Sequence, residues 1–477
     1  MPRYNIPEPK NEEKKPSIFP KERLLFVLML ILIMLSFLIL FSSGAKMAYD
    51  ITSDGSIFDE LKYQMKNIVM AALCFVVAYA VRPEWYRRLA PWIFLAALVL
   101  TSLTFMGLGK SVNGAARWIE VLGFRFQPSE ALKVATMIVL AWSLDRVATN
   151  FNKNKALRKS VREKNAESAY YGGDKVALPP KVQGLTDLRL TPNLIRGVFF
   201  DNKKGRTELF DGVSEGFTYV VLPILLACGI VVFAHTSSAF IICGASLIVL
   251  YYGRINIWEL ISFCAWLGVA FVGYVATGAG RALTILGRIG NWFSGDVQAA
   301  EEEVLLSNLD DTYRAMIAIH KGGPLGLGPG KSLMRAEMVH PESDYVFAFF
   351  IEEWGMLMGV ALVLIYIAIF FRSFKIFNET KSSHFNSFLV LGLGSLITMQ
   401  AFFHIFVSLN IFPETGLILP FVSRGGTALF CCTAAIGIMM RVARTNDAAE
   451  LLRERERLRK RSEAAAARFE AAQTVEW

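Results

Sequence analysis

The amino-acid sequence predicts an all-α polytopic membrane protein of about ten transmembrane helices, with a large outer loop between spans seven and eight. Three observations carry that expectation. Hydrophobic residues make up 54% of the 477, above the usual level for a soluble enzyme of this length. Apolar runs recur at close to the length of about 20 residues that a helix needs to cross a bilayer. Lysine and arginine gather in the connections that fall on one side when the spans are threaded.

The spans read, in order, as 24–43, 64–82, 89–107, 127–145, 216–234, 237–252, 257–278, 344–371, 386–409 and 417–441. Only the polar Ala234-His-Thr-Ser-Ser238 divides the fifth from the sixth. The basic segments before Leu25, at Arg82–Arg88, within 146–215, at Phe371–Lys375 and beyond Arg441 share one face, so both termini are expected in the cytoplasm. The first span lacks a clean small-residue cleavage site, which argues against a removable signal peptide.

This threading divides the chain into a cytoplasmic segment 1–23, a membrane domain 24–441 and a cytoplasmic tail 442–477. Within the membrane domain, 146–215 is a cytoplasmic insertion without sustained periodicity, read as a partly ordered linker or docking surface. The outer loop is 279–343. In the tail, 446–472 has the charge spacing of a solvated helix.

Several functions are disfavoured. The net charge of +9 mostly reflects topology, and no basic face interleaved with aromatics suggests nucleic acid. All six cysteines lie in the spans, with no zinc or redox spacing, and the five histidines form no ligand pattern, so neither a metal centre of that kind nor haem is expected. Gly326–Ser332 resembles a nucleotide loop only superficially, because a phosphate-binding loop would need its first glycine at the position of Leu325.

Charged and polar residues crowd where lipid should exclude them. Lys110-Ser-Val-Asn113-Gly-Ala-Ala-Arg117-Trp118 and Gln127-Pro-Ser-Glu130-Ala-Leu-Lys133 lie between two apolar segments. Such groups normally pair or line a polar cavity. Asp344, Glu352 and Glu353 enter the eighth span, where helical spacing lets Glu352 or Glu353, but not both equally, face the bundle as an ion-pair partner of Lys133 or Arg117. The glycine-rich Gly322–Ser332 can fold tightly against a head group, and the proline- and glycine-rich stretch from Asn410 through Ser423 suggests a re-entrant loop or unwound helix start.

Taken together, these motifs resemble the shape, elongation, division and sporulation family of bacterial cell-wall glycan polymerases. The resemblance rests on N-G-x-x-R-W, Q-P-x-E-x-x-K, the acidic helix start at Asp344 and the Pro413–Thr427 segment, and it spans about 110–135, 281–355 and 405–430. Two departures stand out: His235-Thr-Ser-Ser-Ala239 replaces the family's P-D-x-G-T, and Tyr313-Arg314 replaces Tyr-Gln. Thr415-Gly416 leans, if anything, toward the elongation branch, whereas the extended tail leans toward the division branch.

The resemblance implies a peptidoglycan glycosyltransferase that joins lipid II units and releases undecaprenyl pyrophosphate, expected at the division septum in the bacterial inner membrane. One loop aspartate should be catalytic. Counting forward from Arg288 selects Asp296, while counting back from Tyr313 favours Asp310 or Asp311. Lys110, Asn113, Arg117, Trp118, Gln127, Glu130, Lys133, Arg281, Arg288, Ser332, Asp344, Glu352 and Ser423 are candidate substrate contacts. Cationic side chains or a divalent metal, Mg or Mn, would neutralise the leaving group, and no nucleotide is implied. The expected partners are a class B penicillin-binding protein transpeptidase and other division membrane proteins. A lipid II flippase and a recruiting scaffold are the competing readings. The concentration of polar groups at the outer face and the absence of an evident inverted repeat weigh against transport, while a scaffold would leave Glu130, Lys133 and the loop acids unexplained.

Overall fold

The computed structural model describes residues 23–49, 57–104, 110–112, 115–121, 124–171, 188, 190, 216–278, 286–290, 311–334, 338, 343–381 and 383–474. Within them the chain runs as α1 (Arg23–Tyr49), α2 (Ile57–Ala80), α3 (Pro83–Leu103), three short strands, and α4 (Pro128–Tyr171). It continues as α5 (Leu222–Ala234), α6 (Thr236–Tyr252), α7 (Ile257–Ala276), α8 (Asp311–Gly322), α9 (Val346–Glu379), α10 (His384–Ser408) and α11 (Gly426–Thr474). A π-turn, Phe217–Val221, leads into α5.

Each of the ten expected spans falls on one helix, with α8 as an additional short helix beside them. Among the described residues, six helices are long and apolar enough to cross a membrane, and three more are shorter apolar helices. The fourth span, α4, carries Glu130, Lys133 and Asp145 within its apolar part, but all three are buried and ion-paired. The tenth span is shorter than expected: 417–425 is non-helical, and α11 begins only at Gly426. Pro420 and the pair of glycines at Gly425-Gly426 give the physical reason, since proline removes a backbone donor and glycine resists helix entry.

Helix α10 forms the centre of the bundle and packs against α4, α6, α9 and α11. Its glycines let neighbours approach closely; a Cβ on Gly392 would lie 3.3 Å from Met137 Cβ of α4. At α11, a Cβ on Gly437 would lie 2.8 Å from the Phe75 carbonyl of α2, and Thr433 Oγ1 donates to the Ala71 carbonyl at 3.2 Å.

One local structure differs from the all-helical expectation. Lys110–Val112 (β1), Ala115–Val121 (β2) and Phe124–Phe126 (β3) form a small antiparallel sheet in the order β1-β2-β3, with Lys110 opposite Trp118 and Ile119 opposite Phe126. The start of the 146–215 insertion is ordered: α4 continues helically to Tyr171. Further along, Leu188 and Leu190 are buried in the bundle, and Leu190 N–H donates to Glu259 Oε2 at 3.1 Å.

Candidate active site

The end of the bundle carrying the small sheet also carries α8, the glycine loop and the α10–α11 connection. Its central device is a break in α9. Gly355 has φ 85° and ψ 165°, so the helix is interrupted just after Glu352-Glu353. Their carbonyls are freed to accept bonds from the glycine loop: Leu327 N–H donates to the Glu352 carbonyl at 2.9 Å and Gly328 N–H to that of Glu353 at 3.0 Å.

The two carboxylates are used in the same way. Ser332 Oγ donates to Glu352 Oε2, while Leu333 and Met334 N–H groups donate to Glu352 Oε1 at 2.9 and 3.1 Å. Gly330 N–H donates to Glu353 Oε1 at 3.1 Å, and Ser42 Oγ of α1 donates to the same carboxylate at 2.6 Å. Both glutamates are fully buried. Both face inward where only one was expected to, because the glycine loop folds over the helix end at the break; Lys133 pairs with neither, and the Arg117 side chain lies outside the described residues. Ser332, a candidate substrate contact, lies in this lock.

Lys133 instead pairs with Glu130 at 2.7 Å and donates to Gln400 Oε1 at 2.7 Å, all inside the bundle. Gln400 Nε2 then donates to the Ile418 carbonyl at 3.2 Å, tying the pair to the α10–α11 connection. One turn earlier, Gln127 N–H donates to Thr427 Oγ1 at 3.0 Å, and Thr427 Oγ1 donates to the Arg125 carbonyl at 3.1 Å. Gln127 Nε2 reaches His235 Nε2 at 2.6 Å. Four parts of the chain thus meet: β3, the start of α4, the α5–α6 junction and the start of α11.

Beside this junction is a cavity of about 370 Å³. Its walls include His235, Thr236 and Ser237 from the α5–α6 junction, Arg288, and Pro413–Gly416 from the α10–α11 connection. Arg288 Nη1 donates to the Glu414 carbonyl at 3.1 Å. Thr236, Phe240 and Phe271 are shared with an apolar groove of about 510 Å³ between α5, α6 and α7. Ser423 lies behind the wall: its Oγ donates to the Ser343 carbonyl at 2.9 Å and accepts from Leu419 N–H at 2.8 Å. Asp344 approaches Gly416 closely, within 3.7 Å of where a Cβ would stand.

Not all expected residues fall in the described part. Asp296, Asp310, Asn113 and Arg281 lie outside the described residues, as do the side chains of Lys110 and Arg117, whose backbones form β1 and β2. Trp118 is half-buried in β2. Asp311 begins α8 and pairs with Arg314 at 3.1 Å. Among the described residues, no group of three or more His, Cys, Asp or Glu is arranged to hold a metal ion.

His235 is the site residue that sequence reasoning passed over. It had two signals: its place, a polar residue between two apolar runs too close together to leave room for a loop, and its position at the departure from the family's P-D-x-G-T.

Residues 22–164 and 198–448 match the cell cycle protein family of FtsW, RodA and SpoVE. Similar curated proteins include the "Probable peptidoglycan glycosyltransferase FtsW" of Pasteurella multocida, 27% identical over 440 residues covering 90% of this chain and 92% of that protein. The protein of the same name from Neisseria gonorrhoeae is 27% identical over 372 residues, covering 76% and 71%. "Stage V sporulation protein E" of Bacillus subtilis is 25% identical over 426 residues, covering 88% and 96%. Among solved structures, the rod shape determining protein RodA of Thermus thermophilus superposes with a TM-score of 0.55 at 17% identity, covering 90% of this chain and 98% of that one. A chain of a peptidoglycan synthase complex superposes with a TM-score of 0.56 at 18% identity, covering 90% and 99%.

Proposed function

Because this chain belongs to the cell cycle protein family of FtsW, RodA and SpoVE, and is a multi-pass membrane protein with a cavity at one end of its bundle that sets His235, Ser237 and Arg288 among apolar side chains, we propose that it polymerises lipid II into glycan strands. The observation that carries the reading is the continuity between the cavity beside Arg288 and the apolar groove reached through Thr236, Phe240 and Phe271. A diphosphate-linked sugar fits the first and a polyprenyl chain the second. The cavity also lies at the helix ends, where a polymerase rather than a midplane transporter would bind.

In the proposed reaction, the 4-hydroxyl of an acceptor sugar attacks the anomeric carbon of the growing chain. The new glycosidic C–O bond forms as the bond to the diphosphate breaks, and the bonding pair leaves with undecaprenyl pyrophosphate. A loop carboxylate, Asp296 first and Asp310 or Asp311 next, takes the hydroxyl proton. Arg288 stabilises the departing negative charge. We place the reaction at the outer face of the bacterial inner membrane, in septal synthesis, with a class B penicillin-binding protein and other division membrane proteins as partners.

Purified protein mixed with lipid II should yield glycan chains on a gel; a preparation that is folded, supplied with the transpeptidase and still inactive would refute the reading. Chelator titration in the same assay reads whether Mg or Mn carries part of the charge.

A further inference from the structure

Cys228 of α5 and Cys243 of α6 bring their sulfurs within 3.4 Å of each other. They stand about two helical turns to either side of His235, on helices that fold back on one another at that residue. Nothing in their spacing along the chain marks them as a pair; the hairpin makes them one. The Cys228 thiol donates to the Ala239 carbonyl at 3.7 Å, which leaves the Cys243 thiol to donate to the Cys228 sulfur.

A disulfide bond is about 2.05 Å long, so closing this gap takes a relative movement of about 1.4 Å. The flanking glycines show which helix can supply it. Gly244, next to Cys243, is pressed against α10: a Cβ there would lie 2.5 Å from Met399 Cε. Gly229, next to Cys228, has nothing within 4 Å of where its Cβ would stand. Helix α6 is therefore held in place, while α5 has room to shift.

Both sulfurs lie on the wall of the apolar groove of about 510 Å³, together with the exposed Cys264 of α7. The same wall carries two edge-on aromatic pairs, Phe233–Tyr274 at 5.6 Å and Phe240–Phe271 at 5.3 Å between ring centroids. No charged side chain lines it among the described residues. Such a wall accepts a flat, lipid-soluble ring and disfavours a charged oxidant such as oxidised glutathione.

We propose that Cys228 and Cys243 are a redox-active dithiol, oxidised to a disulfide by a membrane-dissolved quinone that enters this groove. The two S–H bonds break and one S–S bond forms, and the two electrons and two protons pass to the quinone oxygens to give the hydroquinone. The disulfide staples α5 to α6 about two turns from His235. This chemistry is independent of lipid II polymerisation.

The test uses the full-length protein in nanodiscs, reduced and then freed of reductant without air. Decylubiquinone is the oxidant, with oxidised glutathione and diamide as comparisons; absorbance follows the quinone, and mass spectrometry after maleimide alkylation maps each thiol. Decylubiquinone should yield the Cys228–Cys243 disulfide and hydroquinone in equal amounts, while Cys264 stays open to alkylation. Cys228→Ala and Cys243→Ala should each slow hydroquinone formation at least tenfold, whereas Cys74→Ala, on α2, should leave it unchanged. A disulfide that includes Cys264 instead overturns the pairing. Diamide closing the bond where decylubiquinone does not, or oxidised glutathione closing it as fast, overturns the quinone as oxidant. No Cys228–Cys243 disulfide with any of the three, or unchanged quinone reduction in either variant, overturns the dithiol and leaves its thiols as packing contacts only. The measurement on the unaltered protein decides even if a variant does not fold.

Discussion

Gly326 and Gly355 meet through their backbones: a Cβ built on Gly326 would lie 2.6 Å from the Gly355 nitrogen, and one built on Gly355 would lie 2.6 Å from the Gly326 nitrogen. Both have positive φ, at 80° and 85°. The glycine loop and the break in α9 therefore fit as a single unit.

Alanine at either position should unseat the loop. The left-handed conformation alone costs about 1–2 kcal/mol for a residue with a Cβ, and the backbone overlap adds to it. Gly326→Ala and Gly355→Ala should each reduce glycan synthesis more than tenfold. Because they disrupt one contact, the double variant should be little worse than either single, a non-additivity that rates and melting temperatures can read.

Lys133→Ala should be severely destabilising, by about 3–5 kcal/mol, because it strands the Glu130 carboxylate inside the bundle. Glu130→Gln combined with Lys133→Met removes both charges and should recover much of that stability. Thermal unfolding in detergent measures the recovery, and a double variant less stable than Lys133→Ala would refute the buried-pair account.

Asp296→Asn should abolish polymerisation while leaving insertion and melting temperature unchanged. Asp311→Asn weakens a mostly buried helix-start pair with Arg314, so it should lower the melting temperature yet retain most activity. Glycan gels on the two purified variants decide between the aspartates; if Asp296→Asn stays active, Asp310 becomes the first candidate.

Replacing Leu188 and Leu190 together by alanine should loosen the insertion from Glu259 and speed protease cleavage within 172–215. Glycan synthesis by the purified protein should stay within about twofold, since Glu259 begins α7 at the end of the bundle opposite the cavity. Limited proteolysis followed by the gel assay checks both halves.

The positions of the spans were legible because apolar length is a property of a segment by itself. The break at Gly355 was not, because a glycine inside a helix costs only about 1 kcal/mol and gives no sign of whether the helix bends. Glu352 and Glu353 are adjacent on regular helix and point in different directions, which is why only one was expected to face inward; both are enclosed because the glycine loop seats in the break and wraps the helix end. The strands Lys110–Val112 and Phe124–Phe126 are three residues each, too short to show alternation. Glu130 and Lys133 were recognisable as a pair from their spacing, but Gln400, which completes their bonding, is brought in by tertiary packing. The inward placement of His235 likewise depends on Gln127, more than a hundred positions away.

The contact between Gln127 and Thr427 joins the starts of two very long helices. At about 1.5 Å per residue, the 44 residues of α4 and the 49 of α11 measure roughly 66 and 74 Å, about twice the hydrocarbon thickness of a bilayer. Both therefore project well past the far side as stiff rods. Their projecting ends lie far apart in sequence, yet the starts of both rods are tied at a single hydrogen bond beside the cavity.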